Sequence, residues 1–126
     1  METTDIVGIK NIELQQDNIV VTNKGNEYVI EIKDILYVES FNKTAEINVT
    51  GENRSIYEVK TRIGDIYKLL EGYGFIMIHK SYIVNMAHID KFKNYMIFLS
   101  DGQVIRASQR RWKDIVFKIK TDNAKK

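Results

Sequence analysis

Two stretches concentrate the side chains that could do chemistry. FIMIHKSYIVN, residues 75–85, sets His79 and Lys80 between an apolar run and a short Ser-initiated segment. IRASQRRWK, residues 105–113, gathers Arg106, Arg110, Arg111 and Lys113 around the expected start of a helix. A smaller group, Asn42 and Lys43, falls in a connection between strands. Cations of this kind suit phosphate oxygens, and an arginine can also pair bidentately with O6 and N7 of a guanine. Catalysis finds far less to work with. His79 and His88 are nine apart on different elements, cysteine is absent and no HExxH occurs, so no metal site is expected. Ser81 lacks the G-x-S-x-G setting of an activated nucleophile, while Ser55 and Ser108 read as turn and cap residues. Gly72 and Gly74 are followed by neither a third glycine nor a GK[ST] triad, which argues against a nucleotide site. The carboxylates Asp34, Glu39, Asp90 and Asp101 are scattered over turns and strands. No catalytic residue and no cofactor are expected. His88 reads as a structural hydrogen-bonder, and His79 stays open between packing and a phosphate contact.

Charge is unevenly divided along the chain. Residues 1–104 carry 11 Lys and Arg against 15 Asp and Glu, a net of −4, whereas residues 105–126 carry 8 against 2, a net of +6. A basic end on a mildly acidic body can orient a protein toward a polyanion. Lys125 and Lys126 alone would be a solubilising tail, but Arg106, Arg110, Arg111 and Lys113 sit in or beside expected structure. A length of 126 residues with 44% hydrophobic content indicates one domain that buries a core without staples. The lack of cysteine rules out disulfides and fits a reducing compartment. No apolar run approaches ~18 residues and no signal pattern opens the chain, so no membrane span and a cytoplasmic location are expected.

The elements that must position these groups are mostly strands. Residues 1–8 form a leader without pattern, Ile19 and Val21 then alternate through IVVT, and Val29 and Ile30 precede a second apolar cluster, with turn signals at Asp17–Asn18 and Asn23–Asn26. Ile35, Leu36, Tyr37 and Val38 read as a central strand buried on both sides. Ala45, Ile47 and Val49 share one face of the next strand, with a turn at Gly51-Glu52-Asn53 and Ile56 in the return. The period changes at Thr61, the expected N-cap of a helix whose stripe is Ile63, Ile66, Tyr67 and Leu70. Ser81 is expected to begin one helical turn. HIDKFKNYMIFL reads as two strands meeting at Lys93-Asn94, and Asp101-Gly102 joins YMIFLS to QVIRAS. Ser108 then caps a helix with Trp112, Ile115, Val116 and Ile119 on its stripe. That places Arg110 and Arg111 in the first turn against the positive end of the macrodipole, at a cost of up to ~0.3–1 kcal/mol each when exposed. An arriving phosphate or base edge would explain them. Tyr95 and Phe98 could offer a stacking face, but Met96 and Leu99 share the run and a core role explains it better. Trp112 reads as an anchor.

IKDILYVES, TRIGDIYKLL, FIMIHKSYIVNMAHI and IRASQRRWKDI, in this order, resemble the LytTR DNA-binding domain of bacterial transcription regulators. IHKSYIVN is the most diagnostic piece, and the resemblance runs from about residue 10 to 120. It implies a mostly β (α+β) fold: an elongated arrangement of short, largely antiparallel β-sheets with two or three small helices. It divides the chain into a leader at 1–9, the domain at 10–120 and a basic tail at 121–126. By the same resemblance, loops enter successive major grooves of double-stranded DNA. The first reading position falls near Ala45 beside Asn42, Lys43 and Thr44, the second on Lys80 after His79, and the third on Arg110 with Arg111 and Lys113 as neighbours. Ala45 stands where some members carry a long polar side chain, so a thymine-methyl contact or Lys43 would have to serve there. Paired repeat sites and a homodimer formed mainly on DNA are the implied partners. Many members carry a receiver domain ahead of this one, where this sequence has a short leader. A rival from another class is a non-catalytic β-rich module that offers its basic surface to an acidic protein partner. An RNA-binding barrel is the weaker alternative.

Overall fold

Ile35-Leu36-Tyr37-Val38 is a run of aliphatic and aromatic side chains, and in the computed structural model all four are buried. The structure describes residues 6–50 and 55–124. The strands are β1 (Ile6–Ile9), β2 (Asn11–Gln15), β3 (Asn18–Asn23), β4 (Asn26–Glu31), β5 (Ile35–Phe41), β6 (Thr44–Val49) and β7 (Ser55–Val59). Helix α1 (Ile63–Leu70) precedes β8 (Phe75–His79), β9 (Tyr82–Asn85), β10 (Ile89–Lys93), β11 (Met96–Leu99), β12 (Val104–Arg106) and helix α2 (Trp112–Ala124). The described residues thus make a mostly β fold with three sheets and two short helices.

The largest sheet has the order β1-β7-β6-β5-β9-β8, with β5 between β6 and β9. A bulge lets β5 feed both of its faces. Ile35 pairs with Val49 but Tyr37 pairs with Asn48, so Leu36 is an extra residue on this strand. Ile35 and Val38 enter one apolar cluster, while Leu36 and Tyr37 enter the other. The first cluster is completed by Ile63, Ile66 and Leu70 of α1 and by Ile19, Val21 and Ile30 from the β2-β3-β4 sheet. The second takes Ile97, Leu99 and Ile105 from the β10-β11-β12 sheet and Ile115 and Ile119 from α2. The central sheet is therefore covered on both faces, each by one small sheet and one helix. Two-residue turns with positive φ, at Lys24-Gly25 and Asn94-Tyr95, close the β3–β4 and β10–β11 hairpins.

Several expectations require correction. The supposed leader contributes β1, which pairs parallel with β7 through Ile6–Tyr57 and Ile9–Val59, and Ile9 is fully buried. At the other end α2 continues past 120 to Ala124, so 121–124 are helical. Arg62, not Thr61, is the N-cap of α1, with no side-chain cap bond. The expected turn at Gly51-Glu52-Asn53 and the lysines at 125 and 126 lie outside the described residues.

Candidate nucleic-acid interface

The turns of two hairpins lie side by side at one end of the central sheet. Phe41 pairs with Thr44 and closes β5–β6 with a turn of Asn42 and Lys43. Asn42 takes φ 61°, a conformation that asparagine tolerates better than most side chains. The Thr44 hydroxyl donates to the Phe41 carbonyl at 3.0 Å and braces the tip. In the neighbouring hairpin His79 pairs with Tyr82, leaving Lys80 and Ser81 as the turn. No helical turn begins at Ser81: its N–H donates to His79 Nδ1 at 3.2 Å, and the chain reverses directly into β9. Because Nδ1 accepts, the neutral His79 ring carries its proton on Nε2. The two turns are joined by Ser40 N–H donating to the Ser81 carbonyl at 2.9 Å.

The third segment is stitched to the same end. Ser108 N–H donates to the Ile78 carbonyl at 2.8 Å, and Ala107 is buried with its N–H on the Tyr95 carbonyl at 2.7 Å. Those bonds hold 107–108 against the sheets, and α2 begins only at Trp112, so Ser108 lies too early to cap it as expected. Residues 109–111 form a turn instead, and the Arg111 carbonyl accepts from Ile115 N–H at 2.8 Å as the first helical bond. Arg110 and Arg111 therefore precede the helix, and the acidic residue of its first turn is Asp114. Trp112 anchors this entry, with its ring edge-on to Phe92 at 6.0 Å and Tyr95 at 5.4 Å.

The result is two open hollows flanking the joined turns. His79, Lys80, Ser108, Arg110 and Arg111 line one. Ser40, Asn42, Lys43, Arg62, Gly64 and Asp65 are among the lining of the other. Arg62 is a cation that reading the sequence did not single out, since it looked like a residue trailing the Thr61 cap. Lys113 lines neither hollow; it is exposed on the first turn of α2. Lys43, Arg62, Lys80, Arg110, Arg111 and Lys113 are all exposed, and among the described residues none has a side-chain hydrogen bond or ion pair. Ala45 must be withdrawn as a contact residue. It is 0% exposed, because it follows the tip by one strand position on the inward face and packs in the α1 cluster.

Beneath the turns an acidic group is tied down. The Tyr82 hydroxyl donates to Glu39 Oε2 at 2.8 Å across the β5–β9 pair. Burial, followed by this bond and the charge on Glu39, pushes the Tyr82 hydroxyl up to about 12. Tyr82 also meets the His79 ring edge-on at 6.2 Å, so the carboxylate is held on the ring layer that supports the turn. His88 is occupied elsewhere, between Ser100 Oγ at 3.3 Å and the Lys33 carbonyl at 2.7 Å, in the structural role expected of it.

The family model of the LytTr DNA-binding domain matches residues 25–120, which include all three segments. Among solved structures, the chain is similar to the LytTr DNA-binding domain of a methyl-accepting/DNA response regulator from Bacillus cereus. That match has a TM-score of 0.64 at 19% identity and covers 83% of this chain and 98% of the other, a likeness of fold. No curated protein matches the chain. The protein belongs to the LytTR DNA-binding domain family, and its function is DNA binding in transcription regulation.

Proposed function

We propose that the chain reads double-stranded DNA sequence-specifically by presenting its two joined turns and the 109–111 segment to the major groove. One observation carries this reading: connections far apart in sequence are bonded to one sheet end, and they present unpaired cations there. A duplex offers a phosphate array for such cations and base edges for the few that reach further. Lys80 and Arg110 take the base edges, Arg110 by pairing with O6 and N7 of a guanine. Lys43, Arg111 and Lys113 take phosphates, with Lys113 reaching the backbone from the outer side of α2. Asn42 and Thr44 shape the first tip, and His79 offers its Nε2–H to a phosphate while its Nδ1 holds the turn.

On this reading the protein regulates transcription in the bacterial cytoplasm and has no catalytic role. Target sites are paired repeats, with two copies brought together mainly on DNA. Selection of bound duplexes from a random pool tests the assignment. The expected outcome is a short consensus occurring twice per site, bound far more tightly than scrambled duplexes at equal salt. Equal affinity for consensus and scrambled duplexes would leave only non-specific electrostatic binding.

A further inference from the structure

We infer that Phe41 is a specificity-determining residue that reads the 5-methyl group of a thymine at the first hairpin tip. The inference rests on the groove-reading assignment above. Phe41 is 46% exposed at the last position of β5, a large aromatic placed directly before the Asn42-Lys43 turn. Its side is set by strand alternation. Ser40 and Asn42 line the hollow toward α1, so Phe41 lies on the opposite face with Tyr37 and Glu39. That is the face on which the ring of Tyr82 meets Glu39 and the segment before α2 packs.

Cross-strand register sharpens the placement. Glu39 pairs with Tyr82, and the Ser40–Ser81 backbone bond continues the pairing one step further. Phe41 follows that bond by one residue, at the end of β5. An exposed phenyl ring thus stands at the joined tips, and it belongs to neither buried cluster. The major-groove edge of duplex DNA presents one apolar feature, the thymine methyl, and phenylalanine is among the side chains suited to it. Ala45, the other apolar residue near this tip, is buried and out of reach. The Thr44 hydroxyl donates to the Phe41 carbonyl and braces the backbone from which the ring projects.

The test uses the full chain and its selected duplex, with each thymine replaced singly by deoxyuracil, which lacks only the methyl. At one thymine the wild-type protein should bind the uracil duplex about fourfold more weakly, the size of one buried methyl. Phe41→Ala should bind the thymine and uracil duplexes alike at that position, and Phe41→Leu should keep part of the difference. Two results would overturn the inference: no thymine methyl matters to the wild type, or Phe41→Ala stays as sensitive as the wild type. If Arg110→Ala loses discrimination while Phe41→Ala does not, this inference fails and the groove-reading assignment stands. If the wild type does not distinguish the selected duplex from a scrambled one, both fail.

Discussion

Arg110 and Tyr82 show how single side chains divide the work of this surface. Arg110 is exposed, unpaired among the described residues and carried by a turn that backbone bonds hold in place. Arg110→Ala should therefore leave the fold intact, cost roughly 1–3 kcal/mol of specific binding and relax preference at one base position. Titration against the selected duplex and single-base variants checks this, and equal loss on specific and scrambled DNA would reassign Arg110 to the phosphates. Tyr82 works below the surface. Its hydroxyl proton is held more tightly in the folded chain, where the pKa is about 12, than at its ordinary 10.0. Stability from this proton is fully present below pH 10 and is lost as pH rises toward 12. Urea denaturation at increasing alkaline pH should show the wild type losing more stability across that window than Tyr82→Phe. A parallel decline in both would mean that the Tyr82 hydroxyl does not contribute to the dependence.

At the level of elements, β5 is the strand on which the others depend. Its bulge sends Leu36 into the α2 cluster while Ile35 and Val38 serve the α1 cluster, so one strand couples both cores to the hairpin tip at Phe41–Thr44. Leu36→Ala should cost about 2–5 kcal/mol, from lost burial and the cavity left behind. Val29→Ala, on the 64% exposed face of edge strand β4, should stay within about 0.5 kcal/mol. Urea midpoints distinguish the two, and similar losses would mean that the two-faced role of β5 is misread. The elements also show where reading by pattern succeeds. Lys24-Gly25 turns the chain because glycine and a short loop permit positive φ, and Ile63, Ile66 and Leu70 bury because helical spacing puts them on one stripe. The start of α2 did not follow such a rule. Ser108 has a good capping side chain, but its N–H ties it to β8, thirty residues back in the chain, and a further turn at 109–111 delays the helix to Trp112.

For the whole molecule, the division of charge along the chain matters less than where folding gathers it. Arg110 and Arg111, from the basic end, meet Lys80 around one hollow, while Lys43 and Arg62, from the otherwise acidic body, flank the adjoining one. If roughly four or five phosphates are neutralised, the logarithm of affinity should fall against log salt with a slope of about −4. Affinity would then drop about 250-fold between 50 and 200 mM salt. Lys43→Ala should weaken binding to all duplexes alike and reduce the slope by about 1. A slope unchanged by that substitution would remove Lys43 from the phosphate contacts.

The family and its β-rich character were legible because both depend on local order: the sequence of strand patterns, turn residues and the IHKSYIVN segment. Cations near Lys80 and Arg110 were legible as types, since charge in the middle of expected structure needs a reason. Their assembly was not. Whether Ala45 faces out or in turns on a strand parity of one residue, and Phe41 and Arg62 gain significance only from the register and packing around them. Likewise β1 has too short a pattern to announce itself and becomes a strand because β7 supplies the partner. Sequence by itself determined which residues could bury, turn or carry charge. Tertiary structure decided which of them share a surface, because hydrogen bonds between distant strands, rather than proximity along the chain, set that arrangement.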